Sequence, residues 1–365
     1  MSRGDGAGAQ LAEPGLMAWR DTVRTAVREH LEDFVRGECA RRLDGGGVDV
    51  AAELLCGFLD GGKYVRSTYM YLGWLCGERE DTAALRASAS LELLHTFALI
   101  QDDVMDSSPM RRARPSAHVA LGRWHRDRAL SGSASRFGES AAILLGDLCL
   151  VWAEEMLRRS GVDADALARV WPRYDAMRTE LAIGQLSDLL NSCQTFPTLP
   201  EVLDVLRRKS GNYTVRRPLE LGAAMAGCSA DVADALSGYG AAIGEAFQLR
   251  DDILGVFGSP SLTGKSVRSD LEDGKATSIV VAAYELAGPR LRRQLAELMQ
   301  SPEIGAADVD RWRTLIRASG AVQWIEEQIA RRHDAALRFL DGAAIPAAPR
   351  AALAEMAVAC TQRAA

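Results

Sequence analysis

The stretch LHTFALIQDDVMDSSPMRR, residues 94–112, is the part of the sequence from which the fold and the chemistry are predicted. Its apolar residues recur at intervals of three and four, which predicts a helix that ends in three carboxylates and is followed by two arginines. At helical spacing Asp102 and Asp106 lie on one face, one turn apart, whereas Asp103 is offset by about 100°. Stacked carboxylates repel one another unless a cation lies between them, and oxygen ligands of this kind suit Mg²⁺. A solvated acidic helix end is the simpler interpretation of this stretch. Motifs elsewhere in the chain must therefore distinguish it from a metal site.

A second acidic pair lies far along the chain, in GEAFQLRDDILGVFG, residues 244–258. Asp251 and Asp252 again follow an apolar helical pattern, and Gln248 lies one turn earlier on their face. Two carboxylate clusters that face each other can hold divalent ions around one diphosphate, with basic side chains neutralising the remaining charge. Lys265 and Lys275 are two basic residues that follow the second pair.

Together these motifs resemble the trans-isoprenyl diphosphate synthases, or polyprenyl synthetases, and most of all the bacterial geranylgeranyl diphosphate synthases. The resemblance extends from about Gly61 to Thr277. It implies an all-α fold, a single-domain helical bundle of the isoprenoid-synthase type with a central active-site cavity. It also implies a trans-prenyltransferase that condenses isopentenyl diphosphate head-to-tail with an allylic diphosphate (dimethylallyl, geranyl or farnesyl). The resemblance further implies a homodimer and roughly three Mg²⁺ ions per active site, for which Mn²⁺ can substitute.

The sequence GGKYVR, residues 61–66, is a glycine turn that opens a helix with two cations near its start, a typical anion site. A cap loop with incidental charges is the alternative. In the family this motif reads GGKxxR, which implies that Lys63 and Arg66 bind isopentenyl diphosphate. The resemblance assigns the same ligand to Arg112 and His95, although a histidine on an apolar face could equally be a core residue.

The resemblance assigns the allylic diphosphate and the metal ions to the two aspartate clusters. GQLSD, residues 184–188, matches the family's GQxxD motif and places Gln185 and Asp188 beside the first cluster. Lys209-Ser210 matches the family's lysine–threonine pair. The implied catalytic residues are Asp102, Asp103, Asp106, Arg111, Lys209, Ser210, Gln248, Asp251, Asp252, Lys265 and Lys275. The implied metal ligands are Asp102, Asp106, Asp188 and Asp251.

Two positions depart from the family pattern. The second aspartate motif ends in Gly255, where many relatives carry a third aspartate, so we expect weaker metal binding with activity retained. Gln101 stands directly before Asp102, where histidine is frequent in the family, and the sequence does not predict its effect.

The helix wall before Asp102 is expected to set the product length, because in the family the growing tail runs down that face. Phe97 is bulky and acts as a floor in this interpretation, whereas Ala98 is small and removes a second obstacle. One aromatic block without a bulky neighbour resembles the geranylgeranyl diphosphate synthases, so the predicted product is the C20 diphosphate. Farnesyl (C15) and geranylfarnesyl (C25) diphosphate stay open, since other helices also line the tunnel.

The composition is that of an ordinary globular protein, with 365 residues, 48% of them hydrophobic, and a net charge of −6. The acidic balance and the lack of a basic stripe argue against nucleic-acid binding. The seven cysteines show no CxxC spacing, which fits a reducing cytoplasm. We expect residues 1–14 to be a disordered tail without a signal-peptide pattern and residues 15–365 to be one polyprenyl synthetase domain. No stable membrane insertion is expected.

Three other functions fit parts of the pattern. A terpene cyclase would share the fold and the first motif, but it would normally show an Asn/Ser/Glu metal triad where Asp251 and Asp252 stand. It also would not need Lys63 and Arg66. A non-catalytic subunit of a heteromeric prenyl synthase typically lacks aspartates in one cluster, whereas both pairs are intact here. A purely structural helical bundle would not carry so many matching motifs.

Overall fold

The computed structural model describes residues 16–43, 49–59, 61–112, 114–193, 197–258, 271, 275–299 and 305–362. Within these ranges the chain is almost entirely helical, which confirms the predicted all-α fold. The predicted tail, 1–14, and the predicted site residue Lys265 lie outside the described residues. A π-helical segment spans Leu206–Arg216. The α-helices are α1 (Leu16–Arg42), α2 (Asp49–Leu59), α3 (Val65–Leu75), α4 (Thr82–Met105), α5 (Ala117–Asp127), α6 (Ala134–Arg158), α7 (Ala164–Ser192), α8 (Leu199–Val205), α9 (Arg217–Met225), α10 (Ala230–Phe257), α11 (Ser278–Leu286), α12 (Pro289–Met299), α13 (Ala306–Ala318), α14 (Ala321–Asp341) and α15 (Ala347–Thr361).

Helix α4 is central to the bundle and carries the first aspartate motif at its C-terminal end. It begins after an N-cap, Asp81, whose side chain accepts a hydrogen bond from the amide of Ala84 at 2.8 Å. Half of its 24 residues are buried because it packs closely on α6 and also on α1 and α3. Among the described helices, α4 alone is long and apolar enough to cross a membrane, but 61% of its most apolar window is buried inside the protein. Such burial is typical of a core helix in a globular fold.

Two clusters of buried apolar side chains hold the bundle together. The larger one is built mainly by α1–α7, α9 and the first half of α10, and it includes Leu31, Leu94 and Trp152. The smaller one is built by the second half of α10 and by α11–α14, and it includes Ile253 and Trp312. Because α10 contributes to both clusters, packing against both fixes the helix that carries the second aspartate pair.

One short element departs from the helical pattern directly after α4. Strands β1 (Met110–Arg111) and β2 (Arg114–Pro115) pair antiparallel. Strands of two residues are too short to show the alternation by which a strand is recognised in a sequence, so these two were not predicted. Between them Arg112 adopts a left-handed backbone with φ of 50°, which turns the two consecutive arginines in different directions.

Candidate active site

The first aspartate motif meets α7 and the π-helical segment at the end of α4. Asp102 Oδ1 accepts hydrogen bonds from Lys209 Nζ at 2.9 Å and from Gln185 Nε2 at 3.3 Å. Lys209 Nζ also donates to Asp188 Oδ2 at 2.6 Å. Side chains from three elements that are far apart in the sequence therefore meet at one ammonium group.

The charges in this cluster stabilise one another. Burial opposes the ionisation of Asp102, but the Lys209 ammonium and the Arg111 guanidinium outweigh it, so the pKa of Asp102 lies below its ordinary value. Burial likewise disfavours the charged form of Lys209, yet Asp102 and Asp188 raise the pKa of Lys209 above its ordinary value. Both groups are therefore charged at neutral pH, and the carboxylates hold one positive charge between them.

The middle aspartate of the motif has a different environment. Asp103 is fully buried and accepts hydrogen bonds from Arg111 Nε at 2.9 Å and from Arg111 Nη2. Burial raises the pKa of Asp103 above its ordinary value, and the Arg111 guanidinium offsets only part of that effect. Asp103 thus holds Arg111 in place, whereas Asp102 and Asp106 face the other cations of the site.

The two aspartates of the second pair differ in burial. Asp251 is half-buried on α10, whereas Asp252 is buried and accepts hydrogen bonds from Ser278, the first residue of α11. Lys275, three residues before Ser278, reaches Asp106 Oδ2 at 2.5 Å. The two aspartate clusters therefore meet through the segment that leads into α11.

The start of α3, directly after the glycine turn, carries the guanidinium group of Arg66. Gly61 and Tyr64 have left-handed backbones with φ of 75° and 47°, a conformation that costs energy in a residue other than glycine. The Arg66 guanidinium lies 4.5 Å from the centre of the Tyr213 ring, and it donates to Thr214 Oγ1 at 2.9 Å. Within the described part of the chain it forms no ion pair with a carboxylate, so an anion would neutralise it favourably.

His95 lies among the cations of this region. Its Nδ1 is buried and has no hydrogen-bond partner within the described residues. Burial and the charges of Arg66, Arg112 and Arg111 lower the pKa of His95 well below its ordinary value, so the imidazole is neutral at pH 7. Lys63 lies exposed on the same turn as Arg66. The residues predicted for isopentenyl diphosphate are thus gathered around the start of α3.

The backbone around Lys209 is packed very closely. Lys209 and Ser210 lie in the π-helical segment, and π-helical turns are found frequently at functional sites. A Cβ atom on Gly184 would lie 2.6 Å from the amide nitrogen of Lys209, and one on Gly244 would lie 2.3 Å from the carbonyl oxygen of Gly211. Glycine at these two positions allows α7 and α10 to approach the segment and so fixes the position of Lys209.

Comparison with known proteins assigns this arrangement to a family. Residues 50–316, most of the chain, match the sequence pattern of the Polyprenyl synthetase family. The chain belongs to the polyprenyl synthetase family. Membership supports a fold of the trans-prenyltransferase type, and the relatives of the chain can be compared for product length.

These relatives carry the names of enzymes with different product lengths. The geranylfarnesyl diphosphate synthase of Aeropyrum pernix is 32% identical over 273 residues, which cover 73% of this chain and 79% of the relative. The (2E,6E)-farnesyl diphosphate synthase of Mycobacterium tuberculosis is 30% identical over 299 residues, 81% of this chain and 78% of the relative. A solved structure of geranylgeranyl pyrophosphate synthase from Corynebacterium glutamicum, complexed with isoprenyl diphosphate and magnesium, superposes with a TM-score of 0.90 at 37% identity and covers 94% of this chain and 99% of its own.

The carboxylates of the candidate site fit divalent cations. Asp102 and Asp188 converge on the ammonium group of Lys209, and Asp106 binds that of Lys275, so positive charge is stabilised at both places. In the described ranges, no group of three His, Cys, Asp or Glu side chains is arranged to hold an ion by itself. Mg²⁺ usually binds one or two carboxylates together with water and substrate phosphate. The donor set therefore fits Mg²⁺ held jointly with a diphosphate.

The two departures from the family pattern have different structural settings. Gln101 Nε2 donates to the carbonyl of Ile143 at 3.2 Å and to Asp147 Oδ1 at 3.3 Å, so this residue ties α4 to α6 directly beside Asp102. Gly255 is half-buried on α10, one turn after Asp251, and offers no side-chain ligand there. The expected weakening of metal binding at Gly255 stays a prediction.

The structure adds a residue that the sequence pattern did not single out. Arg250, directly before Asp251, binds Glu326 through two hydrogen bonds of 2.6 Å and donates to the carbonyl of Thr361 at 2.8 Å. Helices α14 and α15 therefore hold the part of α10 that carries the second aspartate pair. The sequence held no signal for this contact, because its partners lie 76 and 111 residues away.

Arg250→Met is expected to lower the melting temperature and to raise the Mg²⁺ concentration for half-maximal activity, because the position of Asp251 becomes less fixed. Since Glu326 is partly exposed, we expect a loss of about 1 kcal/mol of stability, or roughly 2–4 °C. Thermal unfolding and a Mg²⁺ titration measure the two effects. Arg250→Glu combined with Glu326→Arg is the matched control and should recover part of both. Unchanged values in Arg250→Met would contradict the role of this contact.

Gly184→Ala is expected to push the π-helical segment away from α7 and to lower kcat, because Lys209 would no longer reach Asp102 and Asp188 together. Overpacking of this kind typically costs about 1–3 kcal/mol of stability. Steady-state kinetics and thermal unfolding of the purified variant measure both effects. Ala182→Ser, at an exposed position of the same helix, is the control. A wild-type kcat in Gly184→Ala would show that the close packing does not position Lys209.

Proposed function

We propose that this polyprenyl synthetase joins isopentenyl diphosphate head-to-tail to an allylic diphosphate and that its main product is geranylgeranyl diphosphate. The proposal is carried by the two charge environments that adjoin α4. Asp102, Asp188 and Lys209 form a mixed cluster that suits a diphosphate bound with metal ions. Arg66, with the neutral His95 beside it, forms a second environment that suits a diphosphate bound by side chains without metal ions.

The mixed cluster suits the substrate that must lose its diphosphate. Lys209, Lys275 and Arg111 contact the aspartates of the first motif, so they are positioned to bind the oxygens of a leaving group. Fixed positive charge at the leaving group is expected to be the largest contribution to catalysis. When bound, roughly three Mg²⁺ ions, or Mn²⁺ in their place, supply further positive charge to the leaving diphosphate. The residues proposed to hold them are Asp102, Asp106, Asp188 and Asp251.

The cationic environment suits the substrate that attacks. In this proposal Lys63, Arg66 and Arg112 hold isopentenyl diphosphate, and His95 supports them, so that its double bond faces the allylic carbon. Holding both partners replaces a chance encounter by an oriented one. The new carbon–carbon bond leaves a positive charge, which is removed when a proton passes to the departing diphosphate. The protein therefore needs neither a nucleophile nor a general base of its own.

The product length is assigned to Phe97. Phe97 and Ala98 are both half-buried on α4, about one turn before Asp102. In this proposal the ring of Phe97 limits the length of the growing isoprenoid chain, and the small side chain of Ala98 leaves the adjoining space open. Farnesyl and geranylfarnesyl diphosphate are the alternative products, because relatives at about the same identity carry those names.

We further infer a homodimer from an exposed apolar face on α6 and α7. Leu144 on α6 is 68% exposed and Leu186 on α7 is 59% exposed. Contacts from Gln101 to α6 and from Gln185 to Asp102 place both helices beside the end of α4. Monomeric proteins rarely expose a large continuous apolar patch, and a second copy of the chain would cover it. The other exposed apolar residues of these helices are Ile143, Val151, Ile183 and Leu190.

Leu144→Lys combined with Leu186→Lys is expected to convert the dimer into a monomer, because two charges per subunit would be buried without partners. Light scattering coupled to size-exclusion chromatography measures the molecular mass. Leu286→Lys is the control, since Leu286 is 47% exposed at the end of α11 and lies outside this face. A monomeric wild-type protein, or a double variant that stays dimeric, would exclude this interface.

The proposal places the enzyme in the cytoplasm, without nucleic-acid partners and without stable membrane insertion. Among the described residues no disulfide joins any of the seven cysteines, which fits a reducing compartment. The net charge of −6 does not favour binding to nucleic acid. Fractionation of cells that express the tagged protein tests the cytoplasmic location and the lack of membrane insertion, and recovery in a washed membrane pellet would contradict both.

Primer-dependent incorporation of isopentenyl diphosphate tests the proposed reaction. The protein is incubated with labelled isopentenyl diphosphate and with dimethylallyl, geranyl or farnesyl diphosphate, in the presence of either Mg²⁺ or EDTA. We expect incorporation only when both a primer and the metal are present. A lack of incorporation with every primer would contradict the proposal and favour a non-catalytic subunit.

A further inference from the structure

Asp252, the second aspartate of its motif, is bound to the start of another helix. Its Oδ2 accepts hydrogen bonds from the Ser278 amide at 3.0 Å and from Ser278 Oγ at 2.5 Å. Its Oδ1 accepts a hydrogen bond from Gln248 Nε2 at 3.2 Å, and only 8% of the residue is exposed. A carboxylate oxygen has about two lone pairs, so the contacts of Oδ2 with Ser278 leave it no further acceptor site.

Ser278 is the first residue of α11, and this helix has no side-chain cap of its own. The N-cap residue is Thr277, whose side chain makes no capping hydrogen bond and whose hydroxyl is buried without a partner within the described chain. The first amides of a helix require acceptors, and negative charge is favourable at this end. Asp252 therefore supplies, from α10, the cap that Thr277 does not provide.

The same helix start determines where Lys275 lies. The amide of Thr277 donates to the carbonyl of Lys275 at 2.9 Å, which makes a tight turn between the lysine and the helix. The Lys275 ammonium reaches Asp106 in the first aspartate cluster. A shift in the first turn of α11 would therefore move this ammonium group away from Asp106.

We propose that Asp252 is a positioning residue: through Ser278 it fixes the first turn of α11, and this turn sets the reach of Lys275 to Asp106. Asp251, which is half-buried, is the member of the pair that serves the metal ions. In this proposal residue 252 must accept the two hydrogen bonds from Ser278. It does not need to direct a negative charge at a metal ion. The kinetic part of the test rests on the proposed prenyl transfer, whereas its two binding and exchange measurements do not.

Asparagine at position 252 separates the two roles, because its amide oxygen can accept both hydrogen bonds from Ser278 but carries no charge. Hydrogen exchange of the free protein is the first measurement. Asp252→Ala is expected to speed exchange of the first-turn amides of α11 by about tenfold, and Asp252→Asn is expected to recover most of that protection. Ser278→Ala loses only the hydroxyl contact and should lie between them. Unchanged exchange in Asp252→Ala would overturn the proposal.

Calorimetric titration with Mg²⁺ and inorganic pyrophosphate is the second measurement. Asp251→Asn is expected to weaken metal binding by at least about tenfold, and Asp252→Asn by less than about threefold. Equal losses in the two variants would show that Asp252 is a metal ligand and would overturn its role as a positioning residue.

Steady-state kinetics provide the third measurement. Asp252→Ala is expected to raise the KM for the allylic diphosphate in the wild-type background. When Lys275→Ala is already present, Asp252→Ala should raise this KM little further, because two changes in one chain of contacts are not additive. Additive effects would overturn the link to Lys275. An inactive wild-type protein would contradict the proposed prenyl transfer, while exchange and calorimetry would still decide the role of Asp252.

Discussion

Asp102→Asn is expected to lower the kcat of prenyl transfer by about 10²- to 10³-fold. Asp102 is the carboxylate at which Lys209, Gln185 and Arg111 meet. Asparagine keeps the shape of the side chain but removes the negative charge that orients the ammonium and is proposed to bind metal. Kinetics at saturating substrate measure the loss, and a Mg²⁺ titration shows how much excess metal restores.

Two further variants make this result specific. Asp231→Asn is the matched control, because Asp231 is an exposed aspartate in the first turn of α10, and kcat should stay within about twofold. Asp103→Asn should weaken the hold on Arg111 and so act mainly on the KM for the allylic diphosphate. A kcat of Asp102→Asn within about tenfold of wild type would contradict the assigned role of Asp102.

Phe97→Ala is expected to shift the main product from C20 to C25 or longer. Removing the half-buried ring opens space on α4 below the first aspartate motif, and the growing tail can then extend past this level. Chromatography of the dephosphorylated alcohols measures the distribution. A product of unchanged length would show that Phe97 is not the floor.

Two neighbouring positions provide the comparison for Phe97. Leu99→Ala removes a half-buried side chain of the same helix on another face, and it should leave the product length unchanged. Ala98→Phe introduces a second ring and should shorten the product towards C15. If Leu99→Ala lengthened the product as much as Phe97→Ala, a general loosening of α4 would explain both results.

The sequence predicted those features that depend on local periodicity. The spacing of Asp102, Asp103 and Asp106 placed the middle aspartate off the shared face, and in the structure it alone is fully buried against Arg111. The all-helical fold was implied by the resemblance to the trans-isoprenyl diphosphate synthases, and the structure confirms it. The short ladder at Arg111 was not predicted, because two residues are too few to show a pattern.

Contacts that depend on tertiary packing could not be predicted from the spacing of residues in the sequence. Lys209 was singled out by a motif, but its simultaneous contact with Asp102 and Asp188 depends on close backbone approach at Gly184. The cap that Asp252 supplies to α11 joins residues 26 positions apart, and neither residue belongs to a local capping motif. For the same reason the contacts of Arg250 with Glu326 and Thr361 were not predicted.

The measurement that tests the central claim most directly is incubation of the protein with Mg²⁺, labelled isopentenyl diphosphate and farnesyl diphosphate, followed by chromatography of the dephosphorylated products. We predict a single C20 alcohol, which would support both the head-to-tail condensation and the floor at Phe97. Longer alcohols would still support the condensation reaction but would exclude Phe97 as the residue that limits product length. No incorporation with farnesyl or any other allylic diphosphate would contradict the proposed function.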